Sequence, residues 1–514
     1  MMAPNVGEHM RKAVTCVLTA AFVLSAVPGV SAAAGSAAPG VPSAMSATPT
    51  QNGPIAGDSL RWGPCPGEVS APSLECSTLT VPVDYRKPDG RKIELAVSRL
   101  PSQDPSKRRG VLLTNPGGPG GPGLGYPAVL AAAGLPKQVL DSYDLIGMDP
   151  RGVGRSAPVT CDLTEQQQAR GGFPRYAHTA VDVVTEARYA RTVAEQCATS
   201  ATAWMLPHTT TANTARDMDR LRAALGAPKI SYLGASYGSY LGAVYTTMFP
   251  QRSDRVVLDS NMGPGGYDYE GMRLFGRGLA DRFPDFAAFA AARPEYGLGS
   301  TPAQVRAKFF ELAQRLDDEP VHGIDGTLLR GITLEQLYSD AQMPRLAEMW
   351  QALDEKGPLP PSPPPPSGDM ENLMSARLAV TCGDSRWPRS LWRYMRNVAV
   401  DRAKYPMLGG SAANIGPCAF WPGEHREPPV RIGDRGPSNV LMVQNERDPG
   451  TPLAGALQLR RAFGQRATMV TADQGGHGVY PFGGNTCAND AVTAYLTNGD
   501  RPSRDRACAA EEGE

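Results

Sequence analysis

Residues 229–248 read KISYLGASYGSYLGAVYTTM, and this stretch decides the fold. It begins with a short apolar run typical of a buried strand, and its second half is typical of a helix packed closely on a sheet. Between the halves stands Ser236, with Gly234 and Gly238 on either side. A sharp strand-to-helix turn strains the backbone at such a serine, and small flanking residues leave its hydroxyl open. The pattern therefore predicts a nucleophilic serine at position 236.

A nucleophilic serine requires a general base, and the chain has six histidines. In hydrolases with this kind of turn the acid and then the histidine follow the serine along the chain, which leaves His322, His425 and His477. The first two stand in polar, turn-rich stretches that favour a surface position. His477 follows a predicted strand, 467–471, in a loop whose glycines let the backbone hold a ring at the edge of a sheet. We therefore predict His477 as the base.

The acid that orients this histidine is expected at the end of the preceding predicted strand. Glu446 and Asp448 both follow that strand. We favour Asp448 because the proline after it stiffens the turn, and Glu446 is the second choice. Asp473 stands so close to His477 in sequence that it would have to fold back to reach the ring. The acid accepts the second N–H of the imidazole, which fixes its tautomer and stabilises the imidazolium.

A glycine-rich segment, 115–123, follows another predicted strand and reads NPGGPGGPG. It lacks the lysine and the Ser/Thr ending of a phosphate-binding loop, so backbone amides that stabilise an oxyanion are the better interpretation. The prolines have no N–H, so we predict Gly118 as the upstream donor, with Gly117 or Gly120 as alternatives. The second donor is the N–H of Tyr237, directly after the serine.

Taken together, these residues make the chain resemble the secreted tripeptidyl aminopeptidases of actinobacteria, a branch of the prolyl-aminopeptidase group of α/β-hydrolases. The resemblance runs from about Trp62 to Cys508. The residues that carry it are 115–120 (NPGGPG), 149–156 (DPRGVGRS), 234–238 (GASYG), 446–452 (ERDPGTP) and 475–478 (GGHG). The chain departs from the pattern at Pro122, where the resembling enzymes often carry serine or alanine, and in a proline tract within its central region.

The resemblance implies a serine exopeptidase that releases short peptides, in particular tripeptides, from the free N-terminus of peptides through an acyl-enzyme. No cofactor and no metal are expected. Such an enzyme also needs an acid that pairs with the substrate's ammonium group, and Asp268, Glu270 and Asp384 are candidates among which the sequence does not choose. The alternative functions are a secreted carboxylesterase and a single-residue, prolyl-type aminopeptidase with the same triad.

Predicted strands alternate with helices along most of the chain, which indicates an α/β fold with a mostly parallel sheet covered on both faces. Between about residues 261 and 410 the strand signal fades, and helical patterns dominate, for instance at 301–316 and 333–353. We therefore expect an α/β-hydrolase fold with an inserted helical cap. Its expected divisions are 58–262 for the first part of the hydrolase core with the nucleophile, 263–410 for the cap, and 411–514 for the second part with the acid and the histidine. A proline-rich run at 357–366 is expected to be an exposed spacer.

The N-terminus is typical of an export signal. Residues 1–34 combine a basic start, an apolar stretch and small residues for cleavage, and 35–57 read as a flexible pro-segment or spacer. We therefore expect a protein that is secreted to the medium or the cell wall, without a stable membrane anchor. The 51 basic and 51 acidic residues balance, and no run of like charge points to nucleic acid. The oligomeric state is not predicted.

The chain has nine cysteines, and setting aside Cys16 in the signal leaves an even set. An even set behind an export signal indicates disulfides formed in an oxidising compartment. We favour sequential pairing because it closes short loops. Metal binding is the alternative, but no C-x-x-C or histidine–cysteine cluster supports it. The predicted pairs are Cys65–Cys76, Cys161–Cys197, Cys382–Cys418 and Cys487–Cys508.

Overall fold

The computed structural model describes residues 60–69, 71–361, 369–423 and 427–511. The predicted signal peptide and pro-segment, His425 and residues 362–366 of the proline-rich run lie outside these residues. The described residues form a single ten-stranded sheet. Its strands are β1 (Gly63–Pro64), β2 (Glu75–Pro82), β3 (Lys92–Leu100), β4 (Gly110–Asn115), β5 (Tyr143–Met148), β6 (Ile230–Ala235), β7 (Ser253–Asp259), β8 (Val440–Arg447), β9 (Ala467–Gly475) and β10 (Arg506–Cys508).

The strand order across the sheet is β1-β2-β3-β5-β4-β6-β7-β8-β9-β10. The pairs β1–β2, β2–β3 and β3–β5 are antiparallel, and all the other pairs are parallel. In a parallel sheet the carboxyl ends of the strands meet at one edge, so β4, β6, β7, β8 and β9 end side by side. This arrangement confirms the predicted α/β-hydrolase fold with a mostly parallel sheet.

Helices cover the sheet and fill the long connection between β7 and β8. They are α1 (Tyr126–Ala132), α2 (Lys137–Ser142), α3 (Glu165–Gln168), α4 (Ala180–Thr199), α5 (Thr211–Ala224), α6 (Tyr237–Met248), α7 (Tyr269–Met272), α8 (Leu274–Ala291), α9 (Pro302–Asp318), α10 (Gly326–Gln336), α11 (Met343–Glu355), α12 (Met370–Asp384), α13 (Leu391–Lys404), α14 (Gly409–Ala412), α15 (Leu453–Phe463) and α16 (Thr486–Asn498). The helices α7 to α14 all lie between β7 and β8, and among the described residues no named strand interrupts them.

The two faces of the sheet bury separate apolar layers. Successive side chains of a strand point to opposite faces, and neighbouring residues of β4 and β6 accordingly divide between the two layers. Leu113 and Tyr232 belong to the layer that α5, α6 and the helices between β7 and β8 cover. Leu112 and Leu233 belong to the layer under α1, α2 and α16. Because both faces are buried, these strands read as nearly continuous apolar runs.

One helix prediction was wrong. The pattern at 333–353 predicts a continuous helix, but the structure ends α10 at Gln336 and begins α11 at Met343. Pro344 lies at the start of α11, where its missing N–H does no harm. In the interior of a longer helix the same proline would remove a backbone hydrogen bond and clash with the preceding turn. The break has a consequence for the site, because it turns Tyr338 toward the sheet.

Four disulfides join the cysteines in the predicted sequential order, Cys65–Cys76, Cys161–Cys197, Cys382–Cys418 and Cys487–Cys508. They lie in different parts of the fold. The first joins the residue that follows β1 to β2, and the last joins α16 to β10 at the opposite end of the sheet. The third ties α12 to the chain that leads into β8. Four such bonds indicate an oxidising compartment.

Candidate active site

Ser236 stands at the turn from β6 to α6. Its backbone has φ 58° and ψ −125°, a conformation that a residue with a side chain rarely adopts. The neighbouring glycines make room for this turn. Gly238 has no side chain, and a Cβ at that position would lie only 2.8 Å from the carbonyl oxygen of Asn115. Ser236 is buried, and its Oγ has no hydrogen-bond partner among the described residues. A strained turn that holds a buried, unpartnered hydroxyl at the edge of the sheet is the geometry of a nucleophile.

His477 and Asp448 lie within ion-pair distance of each other at the same edge of the sheet. The Nδ1 of His477 lies 3.0 Å from both carboxylate oxygens of Asp448. The carboxylate also accepts the N–H groups of Gly450 and Thr451 and the hydroxyl of Thr451, each at 2.8 Å. Asp448 is fully buried, whereas the side chain of His477 is 12% exposed. The carboxylate is thus fixed by its own turn and holds the ring by one nitrogen, which leaves Nε2 as the nitrogen that can act as a base.

The sequence does not single out Asp259, yet this residue joins the serine to the histidine. Its backbone oxygen accepts the N–H of Ser236 at 3.0 Å. Its carboxylate accepts the N–H groups of Val479 at 2.9 Å and of Tyr480 at 2.7 Å, directly after the histidine loop. Ser260 adds a hydroxyl that accepts the N–H of Gly478 at 2.8 Å. The end of β7 therefore lies between the two elements and sets their relative position.

Ser236 Oγ and the imidazole do not form a hydrogen bond in this structure, since that oxygen has no partner among the described residues. Catalytic hydrogen bonds are often long in unliganded enzymes and tighten when substrate binds. The structure does bring both residues to the same edge of the sheet, where Asp259 at the end of β7 bonds to the backbone of Ser236 and to the backbone of the residues that follow His477.

The alternative acids and bases lie elsewhere. Glu446 accepts a hydrogen bond from Thr471 at 3.2 Å, and Asp473 forms an ion pair with Arg447 at 2.5 Å. His322 is exposed and its Nε2 contacts the backbone oxygen of Gly357 at 2.7 Å. Among the described acidic residues, Asp448 is the one with a hydrogen bond to His477.

The glycine-rich segment after β4 lies against the serine. A Cβ on Gly117 would come within 2.9 Å of the Cβ of Ser236 and 3.2 Å of the N of Tyr237. The N–H of Gly117 donates to the side-chain oxygen of Asn115 at 3.0 Å. Neither the N–H of Gly118 nor that of Tyr237 donates to a described residue. Tyr237 is the first residue of α6, where a backbone N–H has no partner within the helix.

The motif 149–156 holds the far end of this segment. One oxygen of Asp149 accepts the N–H groups of Gly123 and Leu124, both at 2.9 Å. The other oxygen accepts the N–H of Arg155 at 2.9 Å. Burial raises the pKa of Asp149, and these three backbone bonds oppose the rise. The motif thus supports the glycine-rich segment.

A mostly apolar cavity of about 300 Å³ begins at Gly117 and Gly118 and extends between α4 and α12. Helix α12 packs directly on the segment, since a Cβ on Gly120 would lie only 2.3 Å from the backbone oxygen of Leu373. Ser236 and His477 do not line this cavity themselves, but Gly117, which contacts Ser236, does. A larger cavity of about 540 Å³ is also lined by Cys418, but neither Ser236 nor His477 nor any residue of the glycine-rich segment lines it.

The helices between β7 and β8 reach the site at the break between α10 and α11. The backbone oxygen of Tyr338 accepts the N–H of His477 at 2.8 Å, and the two rings lie 4.6 Å apart. Tyr267 donates its hydroxyl to the backbone oxygen of Gly118 at 2.5 Å. Neither tyrosine carries a signal in the sequence, because the contacts arise from packing between segments far apart in the chain.

The three predicted candidates for binding an ammonium group do not line the cavity at the glycine segment. Asp268 caps α7. Glu270 forms ion pairs with Arg273 and Arg393. Asp384 accepts hydrogen bonds from the backbone and the hydroxyl of Thr211. Each of these carboxylates has a structural partner, so the structure gives no support to a role in substrate binding.

Burial and charge act in opposite directions on the imidazole. Burial by itself lowers the pKa of His477, but the charge and hydrogen bond of Asp448, with a smaller effect of Asp259, raise it above its usual 6.5. Burial raises the pKa of Asp259 to about 6, against the hydrogen bonds from Tyr480 and Val479. The protonated imidazole is therefore more stable relative to the neutral one in this site than it is in water.

No cluster of three or more His, Cys, Asp or Glu side chains among the described residues has the arrangement of a metal site. No described helix is both long enough and apolar enough to span a bilayer.

Comparison with known proteins places this geometry in context. Residues 405–508 match the family model described as TAP-like protein. The tripeptidyl aminopeptidase of Streptomyces coelicolor is 35% identical over 468 residues, which cover 88% of this chain and 86% of the relative. Serine protease Hip1 of Mycobacterium tuberculosis is 29% identical, with 88% and 92% covered. Carboxylesterase B of the same organism is 30% identical, with 90% and 92% covered.

Proposed function

This chain belongs to the tripeptidyl aminopeptidase family of α/β-hydrolases and is a serine hydrolase of the peptidase kind, and on that premise we propose that it is a secreted exopeptidase releasing tripeptides from the free N-terminus of peptides. The observation that carries the proposal is the strained, unpartnered Ser236 beside the Asp448–His477 pair. The substrates are peptides with a free amino end, and neither nucleic acid nor a membrane anchor takes part.

In the proposed mechanism, Nε2 of His477 removes the proton of Ser236 as the hydroxyl attacks the carbonyl carbon of the scissile peptide bond. Asp448 accepts the Nδ1–H and stabilises the imidazolium that forms. The imidazolium then gives its proton to the leaving amine, the C–N bond breaks, and an acyl-enzyme remains. A water molecule, deprotonated by the same imidazole, attacks the ester and releases the peptide acid and free Ser236.

The negative charge on the carbonyl oxygen needs donors that are already in place. We assign this role to the N–H groups of Gly118 and Tyr237. The assignment draws support from two facts: these N–H groups have no described acceptor, whereas the N–H of Gly117 is used by Asn115.

The helices between β7 and β8 act as the cap in this proposal, with the divisions at 263 and 410 expected from the sequence. Support comes from the contacts of Tyr338 with His477 and of α12 with Gly120, because these contacts place the helices over the site. A covered site admits the end of a peptide chain more easily than its middle, and this favours an exopeptidase over an endopeptidase.

The test is a panel of di-, tri- and tetrapeptide p-nitroanilides, each with a free and with an acetylated N-terminus, given to the enzyme purified from the culture medium. We expect the free tripeptide anilides to be cleaved fastest and the acetylated ones to resist. The Ser236→Ala variant should fold normally, lose labelling by a fluorophosphonate, and lose at least about 10⁴-fold in kcat.

Three outcomes would contradict the proposal. Hydrolysis of p-nitrophenyl esters without cleavage of any anilide would make the protein a carboxylesterase, the activity named for one of its relatives. Cleavage of single-residue anilides alone would make it a prolyl-type aminopeptidase. Full anilide cleavage by Ser236→Ala would remove the serine from the mechanism.

A further inference from the structure

The two peptide groups assigned to the oxyanion hole need support from outside their own segments. Gly118 lies in a glycine-rich loop and has φ 111°, and glycine moves readily between conformations. Tyr237 is the first residue of α6, directly after the strained turn at Ser236. Because a donor stabilises an oxyanion only when it is already in place, the contacts that hold these two residues bear on the reaction.

Tyr267 holds Gly118. Its hydroxyl donates to the backbone oxygen of Gly118 at 2.5 Å, and the residue is only 2% exposed. A glycine has no side chain through which packing could hold it, so a bond to its carbonyl restricts its peptide groups directly. The anchored carbonyl belongs to the same residue whose N–H is assigned to the oxyanion.

A chain of hydroxyls holds Tyr237. The hydroxyl of Tyr237 lies 2.6 Å from Oγ1 of Thr211, the first residue of α5. Thr211 donates its own hydroxyl to the carboxylate of Asp384 at 2.5 Å and its backbone N–H to the other carboxylate oxygen at 2.8 Å. A hydroxyl carries one proton, so Thr211 accepts from Tyr237 while it donates to Asp384. The chain therefore has one direction and ends at Asp384.

Both anchors come from the cap. Tyr267 lies between β7 and α7, and Asp384 is the last residue of α12. The residues that they hold, Gly118 and Tyr237, belong to the hydrolase core. The rings of Tyr237 and Tyr267 also pack together, with their centroids 6.0 Å apart. Each oxyanion donor is thus attached to a different element of the cap.

We propose that Tyr267 and Asp384 are positioning residues that hold the two oxyanion donors, so that the cap completes the oxyanion hole. The inference rests on the proposed assignment of those donors to Gly118 and Tyr237. It gives neither Tyr267 nor Asp384 a contact with substrate or a part in proton transfer.

The first test removes the hydroxyl of Tyr267. In Tyr267→Phe we expect kcat to fall about 10- to 100-fold, up to the loss that follows a displacement near 1 Å, with KM unchanged. The matched control is Tyr269→Phe, which loses a bond of the same kind, from its hydroxyl to the backbone oxygen of Ala413 at 2.9 Å. The control should keep the wild-type kcat. Both are assayed on a free tripeptide p-nitroanilide and on p-nitrophenyl acetate, and urea unfolding records their stability.

The second test breaks the hydroxyl chain at both ends. In Asp384→Asn an NH₂ group replaces one carboxylate oxygen, so one bond from Thr211 is lost. We expect Asp384→Asn and Tyr237→Phe each to lower kcat about tenfold, the rate equivalent of one hydrogen bond. The double variant should lose no more than the weaker single variant, because both changes break one chain.

The control for Asp384→Asn lies on the same helix. Asp369 caps the start of α12, and its carboxylate accepts the N–H of Glu371 at 2.9 Å. Asp369→Asn should keep the wild-type kcat. Burial raises the pKa of Asp384 to about 7, against the bonds from Thr211, so these assays are run well above that value, where the carboxylate is ionised.

Inhibition by phenyl trifluoromethyl ketone reports on the oxyanion itself. Ser236 Oγ adds to the ketone carbon, its proton passes to His477, and the carbonyl oxygen becomes an oxyanion that needs the same two donors. We expect the inhibition constant to rise in Tyr267→Phe and Asp384→Asn by the factor by which kcat falls. It should stay at the wild-type value in both controls. A residue that only stabilises the fold would not move it.

Three results would overturn the proposal. Lower stability with wild-type kcat and inhibition constants in Tyr267→Phe and Asp384→Asn would restrict both residues to the fold. An equal loss of kcat in Tyr269→Phe would mean that any loosening of the cap slows the enzyme. Losses that multiply in the double variant would show that Asp384 does not act through Tyr237.

Failure of the peptidase function gives a different result. A wild-type enzyme that hydrolyses p-nitrophenyl acetate but no anilide refutes that function. The comparison of the variants still stands on the ester, because its hydrolysis passes through the same oxyanion.

Discussion

The imidazole of His477 is held between burial, which disfavours its charge, and the Asp448 carboxylate, which favours it. The balance raises its pKa above 6.5, and the base acts only as neutral imidazole. Activity is therefore present above that pKa and is lost as the pH falls through it. We expect kcat/KM to drop about tenfold per pH unit on the acid side, with a midpoint above pH 6.5. Steady-state rates from pH 5 to 9 on a free tripeptide anilide measure this.

Asp448 is also responsible for the tautomer, and Asp448→Asn isolates that role. With an amide in place of the carboxylate, we expect kcat to fall about 10⁴-fold with little loss of structure. Asp473→Asn is the matched control, since Asp473 stands nearer in sequence to His477 but bonds to Arg447. If Asp473→Asn lowered kcat as far as Asp448→Asn does, the acid would have been misassigned.

Among the structural elements, β7 is the one that joins nucleophile and base. Asp259→Asn leaves one carbonyl oxygen where the carboxylate now serves both Val479 and Tyr480. One buried N–H should lose its acceptor, at a cost of about 1–3 kcal/mol in the free energy of unfolding. The histidine loop should shift, and a displacement near 1 Å lowers kcat about 100-fold.

The matched control for Asp259→Asn is Asp254→Asn on the same strand, because Asp254 is partly exposed and pairs with Arg109. Urea unfolding and kcat are measured for both variants. Loss of stability in Asp259→Asn with normal kcat would mean that the carboxylate supports the fold and not the geometry of the site.

The same elements explain what the sequence could predict. Ser236, Asp448 and His477 each follow a strand of the parallel sheet, and such strand ends must meet at one edge, so a one-dimensional pattern suffices to find them. Asp259 also ends a strand and was within reach of the same argument. Tyr338 was not, because it meets His477 through the break between α10 and α11, whose packing no local pattern encodes.

At the scale of the whole molecule, two disulfides provide a matched pair. Cys161–Cys197 and Cys382–Cys418 both close a separation of 36 residues. Loop entropy alone assigns each of them about 4 kcal/mol of stabilisation. Their surroundings differ: Cys418 lines both cavities, whereas neither Cys161 nor Cys197 lines a cavity described above. Cys382–Cys418 ties α12, which roofs the glycine segment, to the chain that leads into β8.

Replacing either pair by serines should therefore lower the free energy of unfolding by similar amounts, measured by urea denaturation. Only the Cys382→Ser/Cys418→Ser variant should also lower kcat/KM, because α12 is then free to move away from the glycine segment. The Cys161→Ser/Cys197→Ser variant controls for stability, since it loses a loop of the same length. Equal effects of the two variants on kcat/KM would show that stability, and not the position of α12, governs the site.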